Sequence, residues 1–144
     1  MNIKTSKAFF IFFLLLSKGL NAQTIFKVGK RDTVFREMSI QKKYSVKLKS
    51  AVYPIRLNEI HNWMLHLETS DAKNIEDANI HIIGGMPEHG HGFPTTPSVS
   101  KHIGNGNYRI EGIKFNMYGL WAMEFSIASS SGFDKVRYLL KIRP

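Results

Sequence analysis

The feature that most constrains the fold of this sequence is a two-residue alternation of apolar and polar side chains. It is clearest in YSVKLKS (44–50), HNWMLHLET (61–69) and WAMEFSI (121–127), and looser in ANIHIIGG (78–85) and DKVRYLLKI (134–142). Side chains of a β-strand point alternately to its two faces, so these runs predict strands with one buried face. No amphipathic helix is apparent, and the sequence therefore favours an all-β protein.

Turn signals separate the predicted strands at short intervals. GNGN (104–107) is typical of a tight hairpin, and longer connections fall at TSDAKNIED (69–77) and SSSGF (129–133). Gly112 lies where the alternation changes phase, which indicates a β-bulge. About seven short strands with regular turns predict an immunoglobulin-like antiparallel β-sandwich.

The first 22 residues have the composition of a secretory signal peptide. Lys4 and Lys7 precede an apolar run at 8–16, and Ala22 offers a small residue for cleavage. We therefore predict a signal peptide over 1–22, a leader or edge strand over 23–43 and the sandwich domain over 44–144, in a periplasmic or secreted protein. The alternative is an uncleaved N-terminal anchor, which would then be the chain's sole attachment to a membrane.

Composition removes several functional classes. The chain has no cysteine, so disulfides, thiolate ligands and a blue-copper centre are excluded. Its net charge of +9 becomes +6 without the three lysines of 1–22, and the basic residues are scattered. No stacking-aromatic module accompanies them, so we expect no nucleic-acid partner. Neither a nucleophile elbow nor a phosphate-binding loop is present, which predicts that the protein is not an enzyme.

The segment GGMPEHGHGFPTTP (84–97) carries the candidate chemistry. His89 and His91 are two positions apart, so in an extended segment both imidazoles point to one side. Together with the thioether of Met86 they form a donor set that suits copper, Cu(I) above all. If 60–69 and 77–84 form a hairpin, His61 lies beside Met86, and an up-and-down strand order brings Met117 to the same end.

Three other interpretations of this end remain open. Zinc accepts imidazole and carboxylate, so His61, His89, His91 and Glu88 form an alternative ligand set. The histidines and glycines also fit a structural turn that shapes a protein-contact surface. Finally, three aromatic side chains near this end are candidates for binding a small ligand: Phe93, Tyr118 and Trp121.

Four strings in order resemble the YtkA-like domain family, which also includes proteins resembling FixH. They are NEIHNW (58–63), GGMPEHGHGFPTTPSV (84–99), GNGNYRIEGIKFNMYGLW (104–121) and a final strand with Asp134 and Tyr138. The resemblance covers about residues 44–142 and implies an exported or membrane-anchored immunoglobulin-like sandwich. FixH-like relatives are associated with assembly of copper-containing respiratory oxidases.

These observations lead to one functional hypothesis and one main alternative. The hypothesis is an exported copper-binding protein, a metallochaperone or copper-handling accessory factor that delivers copper to a membrane or periplasmic protein. Its predicted metal ligands are His89, His91 and Met86, with His61 and Met117 as completing groups. The alternative is a non-catalytic immunoglobulin-like interaction module whose histidine loop is structural.

Overall fold

A computed structural model of the chain describes residues 23–28 and 33–144, which form ten β-strands and no helix. The predicted signal peptide lies outside the described residues. The strands are β1 (Ile25–Lys27), β2 (Val34–Met38), β3 (Tyr44–Ser50), β4 (Ile60–Thr69), β5 (Asn79–Met86), β6 (His91–Gly92), β7 (Ser98–Gly104), β8 (Asn107–Lys114), β9 (Gly119–Ser129) and β10 (Gly132–Ile142). Within these two ranges, no helix has the length and apolarity needed to cross a membrane.

The strands form two five-stranded sheets, ordered β1-β10-β9-β5-β6 and β2-β3-β4-β8-β7. The seven longest strands have the arrangement of a constant-type immunoglobulin domain. Their orders in the two sheets are β3-β4-β8-β7 and β10-β9-β5. The predicted antiparallel sandwich is therefore confirmed. The short strands β1, β2 and β6 are added at sheet edges, and β1 pairs with β10 in parallel.

The alternation that predicted the strands also builds the core. In β9 every second residue from Trp121 to Ile127 is buried, and in β4 the same holds from His61 to Leu67. Trp63 and Trp121 are both buried. The two inner faces thus supply the apolar side chains that hold the sheets together, and their outer faces carry the charges.

Glycines set two local features that the sequence predicted. Asn105 and Gly106 form the two-residue turn between β7 and β8, and both have positive φ, 52° and 70°. This is the backbone that a type I′ hairpin requires, and Gly tolerates it without strain. Gly112 has φ of 83° and lies where the pairing of β4 with β8 shifts register, so the predicted bulge is confirmed.

One assumption about connectivity was wrong. Strands β4 and β5 do not form a hairpin; they belong to different sheets, and His61 pairs with Ile113 of β8. The connection over residues 70–78 crosses between the sheets, as it does in immunoglobulin domains. His61 and Met86 still lie at the same end of the sandwich, but on sheets that face each other.

Two side chains of β10 bind backbone groups of the other sheet and so hold the two sheets together. The buried carboxylate of Asp134 accepts hydrogen bonds from the backbone N–H groups of Gln41, Lys43 and Lys135 at 2.7–3.4 Å. The hydroxyl of Tyr138 donates to the Val46 carbonyl at 2.8 Å. Both residues belong to the final string that carries the family resemblance, and their contacts give that string a structural role.

Candidate metal site

The segment with the two histidines is a small β-hairpin, not an irregular loop. Met86, the last residue of β5, pairs directly with His91, the first residue of β6, across the four-residue turn 87–90. The N–H groups of His89 and Gly90 both donate to the Met86 carbonyl, at 3.1 and 3.0 Å. Gly90 has φ of 67°, a left-handed conformation that returns the chain to β6. We call residues 84–93 the histidine hairpin.

The two imidazoles of the hairpin are close enough to share one metal ion. Their ring centroids are 5.9 Å apart. A bond of about 2.0–2.1 Å to a ring nitrogen puts the ion roughly 3.1–3.2 Å from the ring centroid, so two ligating rings lie within about 6.3 Å of each other. The observed separation of the ring centroids is inside that limit.

His91 also has a hydrogen bond of the kind that metal-ligating histidines make. Its Nδ1 lies 3.2 Å from the Gly92 carbonyl oxygen. A carbonyl only accepts, so Nδ1–H is the donor in this bond, and Nε2 then carries the lone pair. A backbone carbonyl that holds the second ring N–H fixes the tautomer and orientation of a ligating imidazole. His91 is therefore suited to bind an ion through Nε2.

Met86 is the strand partner of His91 and is buried, whereas His91 is exposed. Met86 is only 1% exposed, and as the partner of His91 it extends on the same face of the hairpin. Its terminal methyl packs against Gly119, where an added Cβ would be 2.6 Å from Met86 Cε. Gly119 has φ of 140°, so both its conformation and the space beside it favour glycine. The thioether is thus held in place by the start of β9.

Trp121 connects the histidine hairpin to the turn that contains Met117. The ring of His91 meets it edge-on, with centroids 6.0 Å apart. Phe93 stacks on it at 5.4 Å, and its indole N–H donates to the Met117 carbonyl at 3.0 Å. Met117 is 40% exposed, so its thioether lies at the surface of this end.

His61 is placed differently from the other predicted ligands. It is buried, and its Nε2 lies 3.0 Å from the Arg56 carbonyl. Its ring contacts Phe115 at 6.4 Å, and Phe115 in turn contacts Trp121 at 5.1 Å. Within residues 23–28 and 33–144, no group of three or more histidine, aspartate or glutamate side chains could hold a metal ion.

The structure therefore brings His89, His91 and Met86 together in one hairpin. Met117 is connected to this hairpin by the hydrogen bond from Trp121. His61 is separated from it by the rings of Phe115 and Trp121. Glu88, the carboxylate of the zinc alternative, is exposed in the turn. The remaining histidines lie elsewhere: His66 and His102 pair with Glu68 and Glu76, each at 2.9 Å, and His81 is exposed on β5.

Sequence reasoning missed the residues that position this site. Trp121 was considered as a candidate for binding a small ligand, and Phe115 and Gly119 were assigned no role. A glycine directly before an alternating strand, as in NMYGLW, is the one signal that pointed to a close contact at that position.

Fold and site define a class: an immunoglobulin-like β-sandwich with a hairpin of imidazole and thioether side chains at one end. The model of the family described as YtkA-like matches residues 38–126 of the chain. This protein belongs to that family. No curated protein sequence and no solved structure gives a significant match.

Proposed function

We propose that this protein is exported and binds copper at the histidine hairpin, acting as a metallochaperone or another copper-handling accessory factor. The observation that supports this most is the 5.9 Å separation of the His89 and His91 rings, with Met86 paired to His91 across the hairpin. Neutral imidazoles and a thioether form a soft donor set, which favours Cu(I) over hard cations such as Mg²⁺. Copper would be bound there by ring nitrogens and sulfur.

The exposure of the donors fits transfer of the ion. His89 and His91 lie at the surface, whereas Met86 is buried. An acceptor protein reaches the imidazoles from solvent and can replace them one at a time, while the buried thioether keeps hold of the ion. The partner we propose is a copper-receiving membrane or periplasmic protein.

Each of the other predicted ligands has a place in this proposal. Met117 lies on the turn that Trp121 holds beside His91, so its exposed thioether is available as a further ligand. His61 stays behind Phe115 and Trp121 and acts on the site through their packing. Zinc is the competing metal, with Glu88 supplying the carboxylate that this ion accepts.

A second candidate function is a non-catalytic immunoglobulin-like interaction module. Two observations favour it: the described ranges hold no cluster of three classical ligand side chains, and the methyl of Met86 packs against Gly119 as a core side chain does. In that case the histidine hairpin shapes a protein-contact surface together with the exposed Met117 and Tyr118.

The test is Cu(I) affinity, measured by competition with a chromophoric chelator on protein purified without a histidine tag. His89→Ala/His91→Ala should abolish Cu(I) binding, because it removes both nitrogen donors. The matched control, His81→Ala/His102→Ala, removes the same number of imidazoles from other parts of the fold and should bind like the parent. Equal Cu(I) affinity of the hairpin variant and the parent would favour the interaction module.

A further inference from the structure

The outer face of β1 and β10 combines basic and exposed apolar side chains. The odd-numbered residues of β10 point away from the core, and in the parallel pair Ile25 lies beside Leu139 and Lys27 beside Lys141. We call this surface the β1–β10 face, after its outward residues Ile25, Lys27, Phe133, Lys135, Arg137 and Lys141. Ile25 and Phe133 are each 52% exposed, although both are large apolar side chains.

The turn between β2 and β3 extends the same surface. Ile40, 70% exposed, has its backbone N–H bonded to the Lys135 carbonyl at 2.8 Å. The Lys43 ammonium donates to the Phe133 carbonyl at 3.2 Å, which places another cation at the backbone of that residue. Exposed apolar side chains that alternate with cations over one surface are typical of contact with the interface of a bilayer.

Charge on this surface is predominantly positive. Glu124, on the neighbouring strand β9, is opposite Arg137 and 2.9 Å from Lys135, and it offsets one of these charges. The half-buried Glu37 lines the groove between this turn and Arg137 and offsets a second. The remaining cations, including Lys27 and Lys141, leave a net positive surface that complements anionic lipid headgroups.

The course of the chain points to the same surface. Gln23 donates from its side chain to the Arg137 carbonyl at 3.0 Å, and Gln23 and Thr24 line a groove with Met38 and Ile40. The 22 residues that precede Gln23, with the apolar run 8–16, therefore join the domain beside the β1–β10 face.

We propose that the β1–β10 face docks the folded domain on an anionic lipid bilayer, with Phe133 and Ile40 entering the headgroup region and the cations contacting lipid phosphates. This contact is separate from any anchoring by residues 1–22. It does not depend on copper, because the histidine hairpin lies at the other edge of the same sheet, beyond β9 and β5.

The experiment measures partition of the exported protein, the chain that begins at Gln23, onto phosphatidylglycerol/phosphatidylcholine vesicles by co-sedimentation. Lys27→Gln/Arg137→Gln/Lys141→Gln removes three charges from the face. At about fivefold per cation near an anionic surface, this variant should partition roughly 100-fold more weakly. The matched control, Arg36→Gln/Lys47→Gln/Lys49→Gln, removes three charges from the outer face of the other sheet and should lose less than about fivefold.

A second pair of variants tests the apolar part of the proposal. Ile40→Ser/Phe133→Ser should weaken partition, whereas Val34→Ser/Ile103→Ser, at comparably exposed positions on the other sheet, should leave it unchanged. Equal losses in the two charge variants, or parent binding that persists on pure phosphatidylcholine, would overturn the proposal. Loss with the charge variant but not with Ile40→Ser/Phe133→Ser would also overturn it, because the contact would then be electrostatic only, without entry of apolar side chains into the headgroup region.

Discussion

Gly119→Ala is the substitution that most sharply tests how the fold holds the Met86 thioether. At φ of 140° an L-residue is strained, which costs on the order of 1–3 kcal/mol. The new Cβ would also lie 2.6 Å from Met86 Cε, about 1 Å closer than ordinary contact. Since that atom ends a flexible side chain, its displacement costs roughly 1 kcal/mol, the low end for overpacking.

Together these effects should lower the free energy of unfolding by about 2–4 kcal/mol, or roughly 8–16 °C in Tm for a domain of this size. A double-mutant cycle with Met86→Ala separates them. Met86→Ala alone removes a buried side chain and should cost about 2–5 kcal/mol. In its background Gly119→Ala retains the backbone strain but loses the clash, so the substitution should cost about 1 kcal/mol less there.

Urea unfolding followed by tryptophan fluorescence measures all four free energies. The same Gly119→Ala variant should bind Cu(I) at least about tenfold more weakly, because the thioether moves relative to the two imidazoles. Equal costs of Gly119→Ala in the parent and in the Met86→Ala background would refute the contact between Met86 and β9. A cost below about 0.5 kcal/mol would refute the backbone argument as well.

Three further predictions concern export, pH dependence and the position of the bound ion. Mass spectrometry of the exported protein should show a chain that begins at Gln23; intact chain in membranes would contradict this. Burial of the Asp134 carboxyl opposes its ionisation, but hydrogen bonds from the Ser39 hydroxyl and from the backbone N–H groups of Lys135, Gln41 and Lys43 lower its pKa below the usual 3.8. Its ionised form therefore stabilises the fold above about pH 4, and this contribution is lost as the pH falls further. In urea titrations Asp134→Asn should cost about 2–3 kcal/mol at pH 7 and progressively less as the pH falls below 3.8; a difference that does not change with pH would contradict this prediction. In Trp63→Phe, which leaves Trp121 as the sole tryptophan, Cu(II) should quench fluorescence more strongly than in Trp121→Phe; equal quenching would place the ion elsewhere.

The alternation of side chains was enough to predict the sandwich because each long strand buries one face only. YSVKLKS coincides with β3, and the GNGN turn and the Gly112 bulge follow from backbone conformations that glycine favours. Short edge strands such as β1 and β6 carry too few residues to show a period. The sequence predicted only a leader or edge strand somewhere in 23–43, where β1 and β2 lie, and it did not indicate β6. Their pairing depends on the neighbouring strand, which no local pattern records.

The candidate site was predictable in composition but not in geometry. The two-residue spacing of His89 and His91 predicted neighbouring imidazoles on an extended segment, but His89 lies in the turn 87–90, before the left-handed Gly90. The 5.9 Å separation of the rings therefore arises from the turn, and the position of His61 depended on a hairpin that does not exist. The nine-residue connection 70–78 is longer than most hairpin loops, and this was the available sign of a crossing between sheets. The roles of Phe115 and Trp121 arise from contacts between the two sheets, which alternation within one strand does not reveal.

The most direct measurement of the central claim is X-ray absorption at the copper edge of the Cu(I)-loaded protein, compared with Met86→Leu. In the parent we expect two nitrogen neighbours of copper at about 2.0 Å and at least one sulfur neighbour at about 2.3 Å, which are the bond lengths of zinc to the same elements. In Met86→Leu the sulfur contribution should fall by one neighbour, while the nitrogen contribution from His89 and His91 stays. A spectrum without sulfur in the parent, or one that Met86→Leu leaves unchanged, would contradict the proposal that the histidine hairpin binds copper through this thioether.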